Sequence, residues 1–188
     1  MRYGLFFVTK LCYTNANSVS NTTIQLESMV TKMEHSVCFS GHRKIPPEDF
    51  NEISKRLETM IIQLIDVGYV NFCSGCALGF DILAAQKIIG LRKVYPQIKL
   101  LLILPCENQS EYWKNEEQEL YTQIKLAADE IIYTSKTYFR GCMHKRNRCL
   151  VDSSSACVCY LTEEKGGTAY TVKYARSKKL CIYNVAEK

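Results

Sequence analysis

Phe72-Cys73-Ser74-Gly75-Cys76-Ala77-Leu78-Gly79-Phe80-Asp81 reads as the end of a buried strand, a loop marked by two glycines and the first turn of a helix. Glycine lets the backbone turn tightly and approach a ligand closely. The unpaired N–H groups at a helix start carry a partial positive charge that suits an anion. The same order recurs at Val37-Cys38-Phe39-Ser40-Gly41-His42-Arg43 and at Cys159-Tyr160-Leu161 followed by Gly166-Gly167-Thr168. Three such loops outline a phosphate-binding site where they converge on one sheet edge.

Outward from these loops, short β-branched or aromatic runs alternate with longer helical patterns, the signature of βαβ units. Strands are predicted over Ser36–Ser40, Tyr69–Cys73, Lys99–Leu104, Glu130–Thr134, Ala156–Leu161 and Leu180–Tyr183. Pro46-Pro47-Glu48-Asp49 supplies prolines and acids for a helix start, and Phe50, Ile53, Leu57, Ile61, Leu64 and Ile65 follow at helical spacing until Gly68. Further helices are expected over Phe80 to about Val94, Ser110–Ala128, Arg140–Val151 and Thr168–Ser177. The fold class is α/β: a single Rossmann-like, three-layer domain with a mostly parallel sheet of about six strands and helices on both faces. That domain spans 33–188. Residues 14–23 are rich in Asn, Ser and Thr, so 1–32 reads as an extension with three open origins. It is an appendage, an upstream extension from a mis-called start, or a short strand over Tyr3–Val8 with a polar linker.

With 188 residues the chain can bury a core without metal or disulfide staples. The net charge of +5 is modest and much of it lies in Arg140–Arg148, which favours a local anion site over a nucleic-acid-coating surface. Most of the ten cysteines fall within apolar patterns and read as reduced, small hydrophobes. Lys10 interrupts the N-terminal apolar run, no small-residue cleavage site follows, and no run approaches the roughly 18 residues of a membrane span. A soluble, cytoplasmic protein without membrane association is expected.

Each candidate residue has an ordinary structural alternative. Gly75 and Gly79 allow N–H groups to face a phosphate, or simply tighten a turn; Asp81 caps the helix or binds a ribose hydroxyl. Ser40, Gly41, His42 and Arg43 present a hydroxyl, a flexible backbone, an imidazole and a guanidinium in succession, and Arg43 is a bidentate phosphate ligand by type. Arg140, His144, Arg148 and Asp152 recur every four residues and share a face that reads as solvated; Arg146 and Asn147 lie elsewhere on that helix. Gln109 and Trp113 border a base or sugar pocket, or Trp113 packs against the body. Cys73-Ser-Gly-Cys76 has redox spacing but lacks a neighbouring Trp or a second such pair, so neither metal nor redox cofactor is expected.

From Met33 to Val185 the chain resembles the SLOG superfamily, in its YpsA-like branch. The resemblance rests on Cys38-Phe-Ser-Gly-His-Arg43, Gly75-x-x-x-Gly79-x-Asp81, Pro105-x-x-x-Gln109-x-x-x-Trp113, Arg146-Asn147 followed by Val151-Asp152, and Gly166-Gly-Thr168, in that order. It implies a nucleotide-derived ligand at the strand ends, and a bacterial or prophage origin. The superfamily also includes DprA, which binds single-stranded DNA, LOG phosphoribohydrolases, and sensors of cyclic ADP-ribose-type signals. Met143-His144-Lys145-Arg146 is similar to the LOG segment with an active-site arginine. Ala169, Tyr170 and Thr171 stand where that family's acidic residues follow, which weakens a hydrolase reading, with Glu163 or Glu164 of the preceding loop as the substitute.

The reading that follows is a YpsA-like SLOG sensor or regulator that binds a nucleotide or ADP-ribose-like ligand. Ser40, Gly41, His42, Arg43, Gly75, Gly79, Asp81, Gln109, Arg146, Asn147, Gly166, Gly167 and Thr168 are its candidate binding residues. One alternative is a nucleotide phosphoribohydrolase using Arg146, Glu163 or Glu164. The other is a DprA-like single-stranded nucleic-acid-binding or protein-interaction module, less favoured because base-stacking aromatics are not interleaved with the basic residues of the Arg140–Arg148 run. A protein partner and homo-oligomers remain compatible with all three.

Overall fold

The computed structural model describes residues 34–187; the possible strand at Tyr3–Val8 lies outside them. Strands β1 (Ser36–Gly41), β2 (Asn71–Ser74), β3 (Lys99–Leu104), β4 (Glu130–Tyr133), β5 (Ala156–Tyr160) and β6 (Cys181–Asn184) form one sheet in the order β4-β3-β2-β1-β5-β6. Every neighbouring pair is parallel. Helices α1 (Pro47–Asp66), α2 (Phe80–Leu91), α3 (Asn115–Ala127), α4 (Cys142–Asp152) and α5 (Gly166–Ser177) connect them. This is the Rossmann-like α/β fold expected.

Two cores separate the layers. On one face Ile53, Leu57 and Ile61 of α1, Leu83 and Ile88 of α2 and Tyr121 and Ile124 of α3 pack on Phe39, Phe72 and Leu102. On the other, Leu150 and Val151 of α4 and Val172 and Ala175 of α5 cover Cys38, Cys73, Cys157 and Cys159. The strand cysteines thus serve as small apolar side chains, in register across β2, β1 and β5 at Cys73, Cys38 and Cys157.

Local signals place most helix boundaries. Pro47 begins α1, Glu48 and Asp49 occupy its first turn, and Gly68 follows its end at φ +96°. Phe50 departs from the expected apolar face and is 44% exposed at the carboxyl edge. The predicted helix from Ser110 starts only at Asn115, because Glu111 and Trp113 donate backbone hydrogen bonds to Asn108 and Ser110 in preceding turns. The Glu117 carboxylate then accepts the Lys114 N–H at 3.0 Å.

Strand order reverses between β1 and β5. In a parallel sheet such a switch point leaves a crevice outside the strand ends, where adjoining connections leave in opposite directions. The loops after β2, β1 and β5 are those with the glycine signals, and their strands are neighbours.

Candidate functional site

Asp81 and Arg146 form the buried centre of this edge. An Asp81 carboxylate oxygen lies 3.5 Å from Arg146 Nη1, and both residues are about 95% buried. The carboxylate also accepts backbone hydrogen bonds from Gly41 and Ala77. One side chain therefore holds the end of β1, the β2 loop and α4 together. Burial pushes Asp81 up to about 6 against the opposing pull of Arg146, and burial likewise lowers Arg146. Desolvation outweighs mutual attraction for both, and Arg146 Nε has no hydrogen-bond partner among the described residues.

The surrounding loop is a polar lattice. Ser74 Oγ donates to the Asp81 carbonyl at 2.9 Å and accepts the Cys76 N–H at 3.0 Å. Gln109 Nε2 donates to the carbonyls of Cys76 (2.9 Å) and Gly75 (3.3 Å), while its own side-chain oxygen is buried without a partner. The Cys76 thiol is pushed up to about 12, first by burial and then by Asp81, which opposes the thiolate that redox or metal chemistry requires. Trp113 packs edge-on against Tyr121 with ring centroids 5.2 Å apart, as the packing alternative expects.

The glycines sort into two groups. A Cβ at Gly41 would meet the Phe80 ring at 2.4 Å; at Gly75, Arg146 Nη1 at 1.2 Å; at Gly79, the Arg43 carbonyl oxygen at 2.4 Å. All three make room for the protein itself. A Cβ at Gly166 or Gly167 would meet nothing within 4 Å. These two open α5 beside the switch point, where helix-start N–H groups are available to an anion.

His42 bridges the crevice. Its Nε2 accepts the Thr162 N–H at 3.0 Å, and its ring packs edge-on against Tyr160. The imidazole thereby ties the β1 loop to the β5 loop. Asn147 donates to Thr171 Oγ1 at 2.8 Å, which donates to the Gly167 carbonyl at 2.8 Å. Position 171, read in sequence only as a missing acid, thus secures the glycine turn. Ser40 and Thr168 are buried at the same edge, whereas Arg43, Glu163 and Glu164 are exposed. Asp81 does not cap α2 from the N-cap position, which Gly79 occupies at φ +84°.

A second arrangement escaped the sequence reading. A cleft of about 560 Å³ between α4 and α5 is lined by Arg140, Lys145 and Arg148 together with Phe139, His144 and Tyr170. The His144–Arg148 face is solvated, as expected, and α5 and the loop before α4 add the rings of Tyr170 and Phe139 beside it.

Among known proteins, the YpsA family model, described as the YspA SLOG family, matches residues 44–184. A UPF0398 protein of Brevibacillus brevis is 28% identical over 149 residues, covering 74% of this chain and 79% of that protein. YoqJ, an uncharacterized SPbeta prophage-derived protein of Bacillus subtilis, is 29% identical over 121 residues, covering 58% and 71%. The solved structure of DNA processing protein A from Helicobacter pylori, described by its single-stranded DNA binding mode, has a TM-score of 0.57 at 18% identity. It covers 83% of this chain and 66% of its own. DprA from Streptococcus pneumoniae gives 0.56 at 12% identity, over 82% and 50%. At these identities the likeness is one of fold, and the present chain spans two thirds or less of either structure.

Proposed function

The chain belongs to the YspA SLOG family, and we propose that it binds a nucleotide or ADP-ribose-like ligand at the β1/β5 switch point as a cytoplasmic sensor or regulator. The observation that carries this reading is the open glycine pair Gly166-Gly167 at the start of α5, at the point where strand order reverses. A phosphate seated there meets helix-start N–H groups without displacing a side chain. Arg43, exposed at the end of β1, supplies a guanidinium to a second phosphate oxygen or ribose. Ser40 and Thr168 border the crevice.

In this reading the buried pair acts from beneath. Asp81 holds the Gly41 and Ala77 N–H groups while Arg146 fills the space over Gly75, so the loops are organised before a ligand arrives. Such pre-organisation spares binding the cost of ordering them. Asp81 is already engaged by Arg146 and two backbone donors, which favours a structural role for it over ribose binding or acid–base work.

Mass spectrometry of small molecules released on denaturation, with a thermal-shift panel of nucleotides, NAD and ADP-ribose derivatives, tests the reading. A co-purifying nucleotide or a raised melting temperature supports it, and Gly167→Glu should abolish the shift. A ligand whose affinity is indifferent to Gly167→Glu sinks the site assignment. Release of free base from the bound nucleotide would convert the sensor reading into a hydrolase reading.

A further inference from the structure

Given nucleotide binding at the switch point, on which this inference rests, we propose that the ligand's base stacks on Phe50 and that the site prefers guanine to adenine. Phe50 belongs by helical spacing to the buried face of α1, with Ile53 and Leu57, yet its ring is 44% exposed at the carboxyl edge. It lines a cleft of about 570 Å³ with Ile45, Pro46, Pro47, Arg43 and Lys44. That volume lies within the roughly 300–1,000 Å³ of small-molecule sites. The two prolines fix their own backbone and carry no N–H, so this wall is stiff and apolar before anything binds. The side at Gly79 is fixed as well. Phe80 donates its N–H to the His42 carbonyl at 3.2 Å, and a Cβ at Gly79 would strike the Arg43 carbonyl.

The β1 loop joins this cleft to the phosphate end of the site. Arg43 lines the cleft, and the neighbouring His42 accepts the Thr162 N–H in the loop that leads to Gly166. A nucleotide with its phosphate on Gly167 and its sugar beside Arg43 thus finds an apolar slot for its base on the same edge. A phenyl ring stacks on any base, so the polar groups decide which one is preferred. Arg43 and Lys44 are the polar side chains of the lining, both only donate, and among the described residues neither forms an ion pair. The lining includes no carboxylate, amide or hydroxyl side chain to accept from an amino group. Guanine offers two adjacent acceptors, N7 and O6, on the edge where adenine places an amino donor beside N7. A donor-only lining therefore satisfies guanine and leaves the adenine amino group without a side-chain partner.

The test is isothermal titration calorimetry of the full chain with GMP, AMP and ribose 5-phosphate, which carries no base. GMP is expected to bind about ten-fold tighter than AMP. Phe50→Ala should weaken GMP about ten-fold and ribose 5-phosphate less than about two-fold. Phe50→Trp keeps a stacking face and should retain GMP affinity, while Lys44→Ala should narrow the preference for GMP over AMP. Melting curves check that the variants fold, and the comparison of GMP with AMP on the unaltered chain stands whether or not they do. AMP binding as tightly as GMP overturns the proposal, as does GMP affinity indifferent to Phe50→Ala. If ribose 5-phosphate binds as tightly as GMP and both are lost in Gly167→Glu, the phosphate site stands and the base cleft fails. If none of the three binds, both fail.

Discussion

A Cβ added at Gly75 would lie 1.2 Å from Arg146 Nη1, whereas one added at Gly167 would meet no atom within 4 Å. The loops after β1 and β2 are closed on themselves: Phe80, Arg146 and the Arg43 carbonyl occupy the space that Gly41, Gly75 and Gly79 vacate. The loop after β5 leaves its space empty. Glycine at the first three positions answers an internal steric demand, Gly166 answers a backbone demand at φ +84°, and Gly167 stands in open space. Half of the edge is packed against its own side chains and backbone, and the other half leaves its glycines open.

The largest effects should come from intruding on the closed half. Gly75→Ala forces the Arg146 guanidinium away from Asp81, and Arg146→Ala strands the buried carboxylate outright. Each should cost about 3–5 kcal/mol in denaturant unfolding. A loss below about 1 kcal/mol for both would mean that the closed half is not a foundation at all.

The next effect is a pH dependence. Burial raises Asp81 to about 6 in the folded protein, above the value near 4 expected when unfolded. The folded state then binds this proton more tightly. The contribution is fully present below about pH 4 and is lost as pH rises through about 6. The difference in stability between wild type and Asp81→Asn should shift by about 2–3 kcal/mol across that window. A pH-independent difference would show that Asp81 titrates as an exposed carboxylate does.

Smaller changes sharpen the boundary between the halves. His42→Ala removes the acceptor of the Thr162 N–H, the contact that joins the two sides of the crevice, and should cost about 1 kcal/mol or less. Gly167→Glu should have the smallest effect on folding. Open space surrounds the position, and an acid in the first turn of α5 interacts favourably with the helix dipole by about 0.3–1 kcal/mol. The same charge should repel a bound phosphate, so calorimetry should show nucleotide affinity lost while the melting temperature is kept. Gly79→Glu cannot make this separation, since its side chain would collide with the backbone of Arg43 and His42 at φ +84°.

Much of the architecture was legible beforehand because its signals are local. Strand β3 has the limits its apolar run predicts, and the α1 core residues Ile53, Leu57, Ile61, Leu64 and Ile65 follow from helical spacing. Where local preference is weak the structure departs from it: Ser110–Lys114 follows a helical pattern yet forms turns, and Phe50 fits the apolar period yet emerges at the edge. Gln109 is legible as a polar candidate, but its bonds to the Gly75 and Cys76 carbonyls depend on a loop more than 30 residues away.

By itself the sequence determined the alternation of strands and helices, the three glycine loops and their place at strand ends, because hydrophobic period and turn chemistry act between near neighbours. Only the tertiary structure decided which glycines are filled and which are open. It brought Arg146 to Asp81 across 65 residues and set Tyr170 beside His144. Those pairings follow from strand order and from helices meeting on one face of the sheet, which no local period encodes.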